Sequence, residues 1–173
     1  IGEIGLDKWI RGYDLAKQKQ AFRLQLQWAC ERDLPASIHC LQAWGHLLSL
    51  LGEGVTPRRG FLLHSYGGPE ELVDDFVDLG AYFSVSGYFL HARKQEHLEM
   101  LLRRVPPERL LLETDAPDMG LPGEFQRFKA PSVNHPGNLV VVYEQVAERL
   151  GEALATLTER LRENAERLFG VAL

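Results

Sequence analysis

Cysteine is scarce: Cys30 and Cys40 are the only thiols in 173 residues. They lack metal-type spacing and each sits in an apolar segment, which excludes a disulfide framework and a thiolate metal site. They read as reduced packing residues of a cytoplasmic protein. Long apolar runs are also absent. No segment approaches the roughly 20 apolar residues that a spanning helix needs, and the amino end has neither a basic flank nor a signal-like stretch. No membrane partner is expected. Positive charge is in deficit too, with 19 Lys and Arg against 24 Asp and Glu, a net of -5. Coating nucleic acid by charge alone needs a strongly basic face, so that mode is excluded. A metal-centred nuclease is not, because bound divalent cations invert the local potential.

What is present is a strand, loop and helix alternation repeated five times. Ile1 to Leu6 reads as a strand, and its start inside an apolar run with no cap reads as a cut chain. Apolar residues at helical spacing predict a helix over Asp14 to Arg32, with Asp14 as N-cap. A strand over Leu34 to Ile38 and a helix over Gln42 to Leu51 follow, the helix closed by Gly52. Phe61 to Leu63 is the third strand, with a helix from Pro69 to Leu79. Ala81 to Val85 is the fourth, followed by a helix over Lys94 to Arg104 that Pro106 and Pro107 stop. The fifth is Arg109 to Thr114, apolar enough to be buried on both faces until it ends in Glu113, Thr114 and Asp115. The segment from Ala116 to Pro136 is too long for an ordinary connection and reads as an active-site loop. Helices over Leu139 to Leu150 and Glu152 to Phe169 close a chain read as one domain, residues 1–173.

Such alternation implies parallel strands with right-handed crossovers, so all strand carboxyl ends face one side. Glu3, His39, His64 and Asp115 lie at or near the ends of the first, second, third and fifth strands, and therefore share one rim. Two imidazoles and two carboxylates suit divalent metals. A set of this kind can hold two cations about 3.5 to 4 Å apart, bridged by a carboxylate, to activate water.

The segments Gly2-Glu3-Ile4-Gly5-Leu6-Asp7, Leu34-Pro35 through Ile38-His39, Leu63-His64 with its glycine loop, Arg109 through Pro117, and Asn164-Ala165 with Leu168-Phe169 occur in this order. Together they resemble the TatD-family metal-dependent deoxyribonucleases, which are amidohydrolase-like TIM barrels. The resemblance implies an α/β fold of the (β/α) barrel type, with about five of eight strand–helix units present, strands four to eight. It also implies that Glu3 bridges two divalent metals, magnesium or manganese with zinc as an alternative. His39 and His64 would hold one metal and Asp115 the other. Glu113 and Asp7, each close in sequence to a ligand, would orient a side chain or water. The implied activity is hydrolysis of DNA or of a small phosphodiester, with no obligate protein partner. Two alternatives stand beside it: an amide or ester hydrolase of the same superfamily, and a non-catalytic scaffold. The scaffold reading draws on the absence of the His-x-His pair that opens the family's barrel.

Further candidates sit on the loops. Arg127 and Lys129 could meet phosphate oxygens, and Tyr66, Trp9 and Tyr88, which follow strand ends, could stack on a base. His135 could donate to a leaving oxygen. Ser65-Tyr66-Gly67-Gly68 and Asn134-His135-Pro136 depart from the family's usual loops. His46, His91 and His97 read as surface or packing residues. The doublets Arg58-Arg59 and Arg103-Arg104 read as solvated charge at the far end from the rim.

Overall fold

The structure, a computed structural model, describes residues 1–129 and 131–171. Strands β1 (Ile4–Asp7), β2 (Ala36–Leu41), β3 (Phe61–Leu63), β4 (Ala81–Ser86) and β5 (Leu110–Glu113) form one parallel sheet in chain order. Helices α1 (Leu15–Glu31), α2 (Trp44–Gly52), α3 (Val73–Asp78) and α4 (Gln95–Arg104) connect successive strands, and α5 (Leu139–Leu150) and α6 (Leu154–Phe169) follow the fifth. An order without reversal is that of barrel winding; a doubly wound sheet reverses at a switch point.

The helix ends follow the expected chemistry. Asp14 caps α1 by accepting from the Lys17 N–H at 3.1 Å, and α5 and α6 stop at Gly151 and Gly170, both in the left-handed region. Small differences have local causes. The segment after Pro69 begins with a 3-10 turn, Glu70–Leu72, before α3, and Arg109 belongs to another such turn, Pro107–Arg109. β1 starts at Ile4, so Glu3 stands just ahead of the strand and Asp7 takes its carboxyl end.

The sheet has one apolar face and one polar face. Ile4 and Leu6, Ile38 and Cys40, Phe61 and Leu63, Phe83 and Val85, and Leu110 all belong to the main hydrophobic core beneath the helices. Their alternate neighbours, Gly5, His39, Ser84 and Glu113 among them, point to the opposite face. β5 is buried on both faces over Leu110 and Leu111, as expected, and only its carboxyl end, Leu112 and Glu113, is half-buried. A small second cluster of Leu62, Tyr82, Leu111 and Leu168 covers part of the polar face near α6.

Asn164, fully buried on α6, fastens that helix to the last strand. Its Nδ2 donates to the carbonyls of Pro107 and Leu110, both at 2.8 Å. Asn164→Ala removes these donors and leaves the Leu110 carbonyl buried without them, so we expect a loss of about 2 kcal/mol. The urea midpoint should fall while the slope of the transition holds.

Candidate metal centre

The polar face gathers its ionisable groups around His64, the residue after β3, whose side chain is 14% exposed. Its Nδ1 lies 3.0 Å from Glu113 Oε2, and its Nε2 lies 3.2 Å from Glu3 Oε1 and 3.3 Å from Asp115 Oδ1. Ser84 on β4 donates to the same Glu113 oxygen at 2.6 Å and accepts from the Ser65 N–H at 2.9 Å. The other Glu113 oxygen, Oε1, is buried with no hydrogen-bond partner among the described residues. Beside this group His39 on β2 sets its Nε2 3.1 Å from Asp7 Oδ2, with 6.4 Å between the centroids of the two imidazoles. Gln18 on α1 clamps the Asp7 backbone, accepting from its N–H and donating to its carbonyl.

Glu3, His39 and His64 each present a ligand atom, and all three atoms lie within 4.8 Å of one another. They sit in a concavity of about 590 Å³ that Trp9, Gln42, Tyr88, Lys94, Asp115 and Met119 also line. The charges explain the titration behaviour. Burial pulls His64 toward the neutral form, but the hydrogen bond and charge of Glu113, with Glu3 and Asp115, outweigh it and raise its pKa to about 9. Burial raises the Asp115 carboxyl, His64 opposes that, and Glu113, Glu3 and Asp118 push it further up. Four carboxylates around two imidazoles, one with an orphaned buried oxygen, form a donor set that fits a cation.

The structure thus brings Glu3, His39, His64 and Asp115 together, with Asp7 on His39 and Glu113 on His64. Other candidates go elsewhere. Tyr66 is fully buried among Trp44, Phe76 and Phe83, its hydroxyl donating to the Pro69 carbonyl, so it cannot stack on a base at the mouth. Ser65, in the left-handed region, turns the chain so that Tyr66 enters the core. His135 stacks on Phe128 and its Nδ1 accepts from the Gly137 N–H; it does not line the concavity. Arg127 is engaged in two hydrogen bonds to the Glu144 carboxylate, and Lys129 is exposed and does not line the concavity.

His46 meets Lys19, while His91 and His97 bond to the carbonyls of Gly120 and Tyr66. Arg58 pairs with Asp33, Arg103 with Glu70 and Arg104 with Asp74. Both cysteines are free, and burial pushes the Cys40 thiol up to about 12.

Sequence reasoning missed the supports: Ser84, Gln18 and Asn134. Asn134 donates to the Thr114 carbonyl at 2.8 Å and so pins the long loop between Glu113 and Asp115. A signal for Ser84 existed in the two serines at alternate positions of an otherwise apolar β4.

A family model described as TatD related DNase matches residues 1–170. The chain belongs to the TatD-related DNase family. The 3'-5' ssDNA/RNA exonuclease TatD of Citrobacter koseri is 34% identical over 173 residues, covering 99% of this chain and 66% of that protein. The protein of the same name from Dickeya dadantii is 35% identical over 170 residues, covering 98% and 64%. The crystal structure of YJJV, a TatD homolog from Escherichia coli K12, superposes with a TM-score of 0.87 at 29% identity, over 98% of this chain and 63% of that one. The TatD-family chain therefore spans about two thirds of the length of these relatives, and the likeness puts its parallel sheet in the TIM-barrel class.

The TatD-family cluster can be probed at its packing and at its charge. A Cβ on Gly5 would stand 1.8 Å from the His39 carbonyl oxygen. Gly5→Ala must push β1 and β2 apart, so a loss of about 1 to 3 kcal/mol in denaturant unfolding is expected, together with a shifted His39 resonance. With EDTA present, the elevated His64 pKa gives stability that is complete below pH 6.5 and disappears as pH rises through about 9. Urea midpoints should fall across that window, and His64→Gln should flatten the fall; a parent midpoint constant from pH 6.5 to 9 contradicts the ion pairing.

Proposed function

We propose that this chain carries the metal centre of a phosphodiesterase acting on single-stranded nucleic acid, DNA above all. The observation that carries the reading is the convergence of Glu3, His39 and His64 ligand atoms within 4.8 Å, with Asp115 Oδ1 3.3 Å from His64. Membership of the TatD-related DNase family supports it, as does the 3'-5' ssDNA/RNA exonuclease name of the relatives. The five strands are read as strands four to eight of a (β/α) barrel, supported by their unreversed parallel order.

In this reading Glu3 bridges two sites, His39 and His64 serve one and Asp115 the other. Bound there, magnesium or manganese, with zinc compatible with the same donors, supplies Lewis acidity and lowers the pKa of water. The chain's own residues set the geometry. Glu113 and Ser84 fix the His64 ring, and Asp7 fixes His39. Asp115, on the same rim 3.3 Å from His64, would take a proton from the attacking water.

The test pairs manganese titration calorimetry with cleavage of a labelled single-stranded oligonucleotide. Magnesium or manganese should stimulate cleavage, and Glu3→Gln and Asp115→Asn should each lower it by about a hundredfold or more while the circular dichroism spectrum is retained. Cation-stimulated cleavage at parent rates in both variants rejects these roles. Absence of manganese binding and turnover favours the scaffold reading.

A further inference from the structure

The loop after β1 carries large apolar side chains that the core does not use. Trp9 is 72% exposed, Ile10 57% and Tyr13 42%. A tryptophan left this open to water marks a contact surface more often than a packing site. Its position is specific. Trp9 and Gln42 line the concavity of the metal cluster, and they also line a second, adjoining one of about 640 Å³. Among the described residues the other walls of the second concavity are Lys8, Ile10 and Arg11, so it presents two cations and no carboxylate. The first is rich in carboxylates. There Lys94 stands against Glu3, Asp115 and Asp118, so a phosphate entering it meets a wall of net negative charge unless cations are bound, whereas one in the second meets a positive wall directly.

The loop is also tied to the cluster. Asp7 Oδ1 accepts from the N–H groups of Trp9, at 2.6 Å, and Ile10, at 3.3 Å, while Asp7 Oδ2 faces His39. One carboxylate therefore ties the backbone of the Trp9 loop to an imidazole of the cluster.

We propose that Trp9, Lys8 and Arg11 form a second nucleotide subsite, in which the indole stacks on the base adjoining the nucleotide at the metal cluster and the two cations hold its phosphate. The inference rests on the nucleic-acid reading above for its ligand. The occupant is a single strand, because a base can lie flat on an exposed indole only when it is free of a partner strand. Continuity of the two concavities and the change of charge between them select a polynucleotide over a mononucleotide.

The test is fluorescence anisotropy with a labelled oligo(dT) made nuclease-resistant by phosphorothioate linkages, in manganese buffer. The proteins are the parent, Trp9→Ala, Trp9→Phe and the double variant Lys8→Ala/Arg11→Ala. Trp9→Ala should weaken binding about tenfold, with Trp9→Phe restoring most of it. The double variant should lower the slope of log Kd against log salt by about 0.7 for each phosphate it no longer neutralises. Trp9 and Arg11 are exposed and Lys8 is half-buried outside the core, so the variants should fold, which thermal melts verify. The proposal is overturned if the parent fails to bind or if Trp9→Ala stays within about twofold of it. It is equally overturned if Trp9→Ala weakens a duplex of equal length as much as it weakens the single strand. Trp9-dependent binding of this probe, with no cleavage of the unmodified single-stranded oligonucleotide in any divalent metal, upholds the subsite and rejects the nuclease reading.

Discussion

The arrangement of the polar face depends on one electrostatic problem: His64 is enclosed by Glu3, Glu113 and Asp115, with Asp7 close by on His39. Two like charges about 4 Å apart repel by about 4 kcal/mol in a partly screened setting. An imidazolium answers only part of that. Glu113 is the most constrained member, since Ser84 and His64 both serve Oε2, and Oε1 is left without a partner among the described residues. A donor set with this surplus is poised for added positive charge, and proton and metal ion compete for the same place.

The sheet makes that concentration of charge structurally tolerable. Parallel strands in chain order put Glu3, Gly5 and Asp7 of one segment beside His39 of the next and His64 of the third, while their alternate neighbours fill the core. A shift of one residue in any strand would bury the carboxylates and expose Ile38 or Leu63, a large penalty for both groups. The hydrophobic core thus enforces the register of the polar cluster.

Much of this is legible in the residues. The period-2 and helical patterns locate every strand and every long helix to within a few residues, because turn glycines, prolines and the Asp14 cap mark their ends. Strand parity also identifies which side chains converge. The loop residues are not legible, for a physical reason. Whether Tyr66 faces solvent depends on Ser65 adopting the left-handed region, and whether Arg127 is available depends on Glu144, a helix away. His135 carries the same lesson, since its ring is occupied by Phe128 and by a backbone N–H two residues on. Side chains on a long loop answer to neighbours that periodicity does not specify. The support Gln18 escapes notice for a related cause: glutamine on a helix carries no positional signature until its partner is known, whereas Ser84 at least shares one strand face with Ser86.

β1 shows how few residues can couple these layers. Its core-facing side chains, Ile4 and Leu6, lock the strand under α1 and against β2. Of the three positions on the polar face, Glu3 reaches His64, Gly5 leaves room for the His39 backbone, and Asp7 divides its two oxygens between His39 and the exposed loop. Removing the Asp7 carboxylate would therefore release His39 and the Trp9 loop at once, because each is held by a different oxygen of the same group. A single carboxylate at the end of β1 thus anchors the cluster through one oxygen and the neighbouring loop through the other.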